Sequence, residues 1–340
     1  MPDSPDAALC VAVTGPTGTL GYGLMPLLED DDRIARVVGV ARRPFDPAVH
    51  GWAKMRYRRG DVRDQTALAE AFAGADVVVH LAFLVAGTAS RATTASVNVE
   101  GTLTALRAAA AAGARRFVYA SSVAAYGFHA DNPEPLTEDW PARPAEHFFY
   151  AQEKAELERL LADEVARHPG PGLYLLRPSI VLGPHTLGAK LTVPRPLTPL
   201  LPLARRLGGL AARVDRLPVG LPVPAPALPV QFVHEDDVGR ALLACIVGAG
   251  PPGAYNIAGD GVLTVADVAR ELGLTPVPVP PGLVRAVARS VAALPAVPQV
   301  VTWAEALTHP AVMDTAKAKR DLGWRPRYTG REALRAALGR

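Results

Sequence analysis

Two residues on one stretch of chain could move a proton together. Tyr150-Ala151-Gln152-Glu153-Lys154 places a phenol and an ammonium at positions i and i+4, one turn apart on a single helical face. A cation at that range stabilises a phenolate and is expected to lower the tyrosine pKa from its reference of about 10 toward neutrality, where it serves as acid and base. Composition does not explain the pair. The chain has 8 Tyr and, among its 36 basic residues, only five Lys. A Tyr followed by Lys four residues on is then expected roughly 0.1 times by chance. Elsewhere the chain takes Arg, whose proton cannot be exchanged or tuned in the same way.

Upstream, Tyr119-Ala120-Ser121-Ser122 ends an apolar run that reads as a strand. Open α/β sheets bind ligands at the C-terminal edge, so Ser122 is placed to hold a substrate oxygen. A serine there also serves turns and caps; its company with Tyr150 and Lys154 favours the chemical role.

A second constellation follows the first predicted strand. Thr14-Gly15-Pro16-Thr17-Gly18-Thr19-Leu20-Gly21 is a glycine-rich turn leading into a helix. Gly15, Gly18 and Gly21, with Thr17 among them, allow a tight turn and close approach to a pyrophosphate at the positive end of that helix. Isolated glycine repeats are often plain turns, but the strand–turn–helix setting favours a dinucleotide. The second predicted strand ends Gly39-Val40-Ala41-Arg42-Arg43, without the acidic residue that NAD ribose hydroxyls favour. Arg42 and Arg43 instead suit a 2′-phosphate, which points to NADP with NAD left open; solvated surface arginines are the alternative. Asp61 in Gly60-Asp61-Val62 either accepts from an adenine amino group or caps a helix. His80 reads as a histidine satisfied within the core.

These residues need a sheet to hold them. Short β-branched runs at 9–14, 36–41, 55–59, 77–82, 117–121 and 173–177 alternate with helical patterns at 20–29, 65–72, 95–112 and 150–167. That alternation predicts an α/β fold with a Rossmann doubly wound parallel sheet. Gly113 reads as a left-handed helix cap. Beyond residue 182 a Pro/Leu-rich stretch predicts a smaller C-terminal substrate lobe, or a cap over the sheet edge. The expected division is 8–180 for the dinucleotide domain, with a returning segment at about 231–260, and 181–230 with 261–330 for the lobe.

Composition narrows the classes. With 49% hydrophobic and 20% charged residues, the chain reads as a globular protein. A net charge of +3 with dispersed arginines gives no reason to expect nucleic acid. Cys10 and Cys245 offer neither a disulfide framework nor metal-ligand spacing, which fits a reducing cytoplasm. Residues 1–7 lack the basic start of a signal peptide, and five prolines interrupt the apolar stretch 217–230, so no membrane partner is expected.

The order of motifs resembles the extended short-chain dehydrogenase/reductase family, also called the NAD-dependent epimerase/dehydratase family. The landmarks are the glycine turn at 14–21, Gly60-Asp61-Val62, His80-Leu81-Ala82, Asn98-Val99-Glu100-Gly101-Thr102, Ser121-Ser122 through Tyr126-Gly127, Tyr150–Lys154, Arg177-Pro178, Phe232-Val233-His234-Glu235-Asp236-Asp237 and Leu322-Gly323-Trp324, spanning residues 8 to 330. The resemblance implies Ser122 as the catalytic hydroxyl, Tyr150 as acid/base and Lys154 as its partner, which also binds the nicotinamide ribose. It further implies that Val62, Leu81 and Ala82 pass the cofactor, that Asn98 supports the site, and that Pro178 and its neighbours lie near the nicotinamide. His234 to Asp237 would anchor the second lobe. A homodimer through the fourth and Tyr150 helices is an arrangement the family uses, although those faces are only weakly apolar here.

Two departures bear on the reaction. Dehydratases of the family follow the catalytic hydroxyl with Asp-Glu, where this chain has Val123 and Ala124; many nucleotide-sugar epimerases carry Asn where Ile180 stands. The expectation is an NAD(P)-dependent oxidoreductase that interconverts carbonyl and alcohol on a small organic molecule. The alternatives are an NAD-dependent sugar epimerase and a non-catalytic cofactor-sensing protein.

Overall fold

Valine-rich runs bounded by turns become strands buried on both faces, which requires helices on each side of one sheet. The computed structural model describes residues 8–85, 91–145, 148–168, 170–186, 222–280, 282–283, 286 and 309–340. In chain order the strands are β1 Leu9–Thr14, β2 Ile34–Ala41, β3 Met55–Arg59, β4 Val77–His80, β5 Arg116–Ala120, β6 Gly172–Pro178, β7 Ile180–Leu182, β8 Pro222–Ala225, β9 Pro229–Val230, β10 Phe232–His234, β11 Gly253–Ile257, β12 Leu263–Thr264 and β13 Thr275–Pro278. The helices used below are α1 Thr19–Asp30, α2 Gln65–Phe72, α3 Arg91–Ala95, α4 Gly101–Ala111, α5 Phe149–Arg167, α6 Glu235–Val247, α7 Val265–Glu271, α8 Ala316–Asp321 and α9 Gly330–Ala337.

Seven strands form one parallel sheet in the order β11-β6-β5-β4-β1-β2-β3. The chain winds outward in both directions from β1 and β4, the doubly wound Rossmann arrangement, and the order reverses between those two strands. Register aligns the strand ends: Val40, Thr14, His80, Tyr119 and Leu175 lie on one rung. The residues just past that rung therefore share the C-terminal edge where such sheets bind ligands.

Two cores sandwich the sheet. Leu24 and Leu28 of α1 pack with Val238, Leu242 and Ile246 of α6 on one face; Leu68, Phe72, Leu106, Leu157 and Leu161 of α2, α4 and α5 fill the other. The α1–α6 crossing is close because both helices present glycine: a Cβ on Gly239 would lie 2.0 Å from the Gly23 carbonyl oxygen. The C-terminal segment is tied to α6 by the Asp237 carboxylate, which accepts from the Arg327 and Tyr328 N–H groups at 2.9 and 3.1 Å, and by the Trp324 indole on the Asp237 carbonyl.

The local differences from expectation have identifiable causes. The strand predicted to reach residue 82 stops at His80, and Leu81 and Ala82 turn across the glycine loop. The helix predicted from residue 95 begins at Arg91 and passes through a π-turn, Ser96–Glu100, before α4. Gly113, just past α4, has φ +74°, the left-handed conformation a glycine cap supplies. Of the expected second lobe, residues 187–221, 281, 284–285 and 287–308 lie outside the described residues. No helix among the described residues is long and apolar enough to cross a membrane.

Candidate active site

The glycine turn is built for close approach. Gly15 has φ +72°, and a Cβ on it would sit 2.8 Å from the Ala82 amide; one on Gly21 would lie 2.0 Å from the Pro16 carbonyl oxygen. Gly18 differs: it is exposed, and nothing but the Gly15 carbonyl, at 3.5 Å, approaches its missing side chain. It heads α1 without a side-chain cap, and no acidic residue stands in the first turn. Free N–H groups and open space at a positive helix end fit a pyrophosphate. Thr17 lies partly buried in this loop, and Leu81 and Ala82 close it from β4.

Around the adenosine end, Arg42 and Arg43 are exposed at the tip of β2. Their carbonyls are held by the Arg59 Nε and the Tyr57 hydroxyl, which fixes the backbone while both guanidinium groups face solvent. Asp61 does not cap α2; Asp64 does, accepting from the Ala67 amide at 3.0 Å. Asp61 is gripped by Arg63 at 2.8 and 2.9 Å, and that partner lowers its pKa. Val62 is buried against Gly101 at the start of α4. His80 is fully buried between the Thr14 and Thr102 hydroxyls at 2.9 and 3.0 Å. Thr102 donates to the Asn98 carbonyl, so the imidazole must donate from Nε2 and accept at Nδ1. Burial holds its pKa down at about 3, and the ring stays neutral.

The proton-bearing residues converge from β5 and α5. Ser122 caps the short 3₁₀ turn Val123–Tyr126, its Oγ accepting from the Ala124 amide at 3.1 Å, and it hydrogen-bonds Tyr150. Lys154 is 3% exposed; its Nζ donates to the Tyr119 hydroxyl at 3.1 Å and to the Ala120 carbonyl at 2.7 Å. The Phe83 ring lies over that nitrogen, 3.6 Å from centroid to Nζ, and stands edge-on to Tyr150 at 5.7 Å. Tyr150 and Lys154 are thus together, with Nζ 5.8 Å from the phenol ring centroid.

Their electrostatics correct the sequence expectation. Burial raises the Tyr150 pKa, and the Ser122 hydrogen bond opposes that rise. Lys154 is not what lowers it, because the amine is itself desolvated. Burial brings the lysine down to about 7, against the pull of Glu158 and Glu153. At neutrality Lys154 is a titrating group rather than a fixed charge.

One turn further along α5, Glu158 clasps Arg177 of β6 in a two-pronged pair, with 2.6 and 3.0 Å bonds, and Arg177 reaches the Tyr126 hydroxyl at 2.7 Å. Tyr126 passes the network to Asn256 on β11 at 2.8 Å. Pro178 is buried at the end of β6; beside it the Ser179 hydroxyl is buried with no hydrogen-bond partner. A buried orphan hydroxyl at the sheet edge fits the polar end of a nicotinamide. Asn98 is fully buried in the π-turn; its amide brackets the Leu84 backbone and donates to Glu153 at 2.7 Å. Sequence reasoning did not assign Phe83, Tyr119 or Glu153, and it reached Ser179 only as one of residues 178–181 expected near the nicotinamide. Only Glu153 and Glu158 carried a signal, sharing the helical face of Tyr150 and Lys154.

Comparisons with known proteins agree with this architecture. The sequence profile of the NAD dependent epimerase/dehydratase family matches residues 11–258. An uncharacterized protein of Mycobacterium tuberculosis is 28% identical over 331 residues, 95% of this chain, which spans only 29% of that longer protein. Two solved structures share the fold: the Bordetella bronchiseptica enzyme WbmG in complex with NAD and UDP, and UDP-glucose 4-epimerase of Thermotoga maritima with UDP-glucose. The first has a TM-score of 0.68 at 19% identity, covering 98% of this chain and 94% of its own. The second has 0.70 at 19%, covering 97% and 98%. With a matching profile over most of its length, laid on a doubly wound sheet with the glycine turn at its switch point, this chain belongs to the NAD-dependent epimerase/dehydratase family.

Proposed function

We propose that the protein is an NAD(P)-dependent oxidoreductase that interconverts a carbonyl and an alcohol on a small, fairly apolar organic substrate. One observation carries the reading: a phenol hydrogen-bonded to a serine hydroxyl, with a titratable lysine buried beside it, at the ligand-binding edge of the sheet. When bound, the nicotinamide supplies or accepts the hydride. Ser122 holds the substrate oxygen, and Tyr150 gives that oxygen a proton in reduction or takes it in oxidation. Lys154 is positioned to replenish the phenol and to meet the ribose. Arg42 and Arg43 favour NADP, since two exposed guanidinium groups at the tip of β2 suit a 2′-phosphate. Val123 and Ala124, both buried, provide no second acid/base pair for dehydration.

A sugar epimerase is the second reading, favoured by the similarity to UDP-glucose 4-epimerase. Against it, Ile180 at the start of β7 is apolar and 44% exposed, where a diphosphate would want a donor. The test is a titration of NADPH against NADH, followed by a carbonyl screen with the tighter cofactor. The reading expects tighter NADPH binding and consumption of free NADPH. Tightly bound NAD in the purified protein, with no turnover of free NADPH, would favour the epimerase instead.

A further inference from the structure

The carboxyl group of Glu153 has no evident reason to be buried. It is 3% exposed, directly before Lys154 and one turn after Tyr150. Oε2 accepts from Asn98, while Oε1 is buried with no hydrogen-bond partner. Leaving a buried polar atom unpaired costs about 1–3 kcal/mol, so such a group calls for an account. The other carboxylate near the lysine, Glu158, is already engaged by Arg177 and by the Ser121 hydroxyl. Among the described residues Lys154 donates to two neutral oxygens. Among the described residues Glu153 makes no ion pair: burial raises its pKa, and the Asn98 hydrogen bond, Lys154 and, more weakly, Arg91 oppose that rise.

A second path links the same residues. Asn98, held by Glu153, accepts from the Leu84 amide at 2.8 Å and donates to the Leu84 carbonyl at 3.1 Å. That clamps the residue next to Phe83, whose ring covers Nζ and abuts Tyr150. We propose that Glu153 is a positioning residue for Lys154: its unpartnered oxygen supplies the balancing charge, and its bond to Asn98 holds the loop that lays Phe83 over the amine. The inference rests on reading Lys154 as the partner of Tyr150. It deepens that reading by naming, beside Glu158, a second carboxylate that opposes the amine's loss of charge in a dry site. Among the described residues, the ionisable groups around Lys154 are Tyr150, Glu153 and Glu158 on α5, Tyr119 on β5 and His80 on β4, while Glu156 and Arg91 act on Glu153.

The chain has only five lysines, so ¹³C-lysine NMR can follow each Cε through a pH titration, with Lys154→Arg assigning the resonance. Glu153→Gln keeps an acceptor for Asn98 and removes the charge. The Lys154 midpoint is expected to fall by about one pH unit, a tenfold change in proton affinity. Glu153→Asp, with the charge kept on a shorter arm, should fall between E153Q and wild type. Phe83→Leu should lower the midpoint by less, and it carries the test if E153Q does not fold. A midpoint unmoved in the variants that fold would overturn the proposal. The readout needs neither cofactor nor substrate. A shifted midpoint in a protein that transfers no hydride would sink the proposed reaction and leave the role of Glu153 standing.

Discussion

Two buried cations meet helix α5 a turn apart, its own Lys154 and the Arg177 of β6 that Glu158 grips, and they are held in opposite ways. Arg177 is closed in: three bonds to Glu158, one to Tyr126 and one to the Glu138 carbonyl hold its fork, and its pKa is pushed further up. Lys154 is left open, with a phenol, a carbonyl and an aromatic face for neighbours, and its pKa drops to about 7. A fully paired guanidinium fixes structure, because nothing near neutrality changes its state. An amine desolvated without a direct ion pair can exchange a proton, which is what the Tyr150 chemistry requires. The same helix therefore carries the anchor of a strut, Glu158, and a switchable group, Lys154.

Substitutions on each side should separate the two. The largest effect is on turnover: Tyr150→Phe and Lys154→Met should each lower kcat/KM with a carbonyl substrate by about 10²- to 10⁴-fold, the range expected for lost proton transfer. Lys154→Met should melt close to wild type, since losing a desolvated charge offsets leaving Glu153 without its counter-charge. Arg177→Met should lose far more. It strands Glu158 in the core, for a loss of about 3–5 kcal/mol in urea unfolding. If the lysine variant proves the less stable of the two, the contrast fails.

The pH dependence of stability follows from the same lysine. Its folded pKa of about 7 lies below the unfolded value of about 10.4, so between those pH values the unfolded chain binds more protons. Stability should rise with pH across that window in wild type, and Lys154→Met should flatten the rise in a thermal melt series. The smallest effect belongs to the exposed arginines. Arg42→Ala and Arg43→Ala should each weaken NADPH binding by about tenfold, the scale of one charge-assisted hydrogen bond, with NADH unaffected. Equal losses for both cofactors would show that neither guanidinium reads a 2′-phosphate.

How far the sequence could be read depended on whether a feature was local. β1, β3 and α2 fall at the positions predicted, because short apolar runs and helical periodicity declare themselves within a few residues. The Tyr150–Lys154 pair was legible for the same reason, as helical spacing sets which side chains are neighbours. Spacing does not reveal burial. The field of Lys154 was expected to lower Tyr150, yet desolvation acts on both groups and outweighs it. The cap of α2 is Asp64 rather than Asp61, because the turn between them sets which carboxylate meets the Ala67 amide. Phe83, Asn98 and Glu153 come from three segments that only the sheet edge brings together, and the π-turn that aims Asn98 has no signature in composition.

The most direct test follows deuterium from C4-deuterated NADPH into product. Wild type should place the label on the carbinol carbon of a reduced carbonyl substrate. Tyr150→Phe should bind NADPH with little change in Kd and Lys154→Met more weakly, yet at saturating NADPH both should transfer label at about one-hundredth of that rate or less. Transfer at the wild-type rate by Tyr150→Phe would contradict the account.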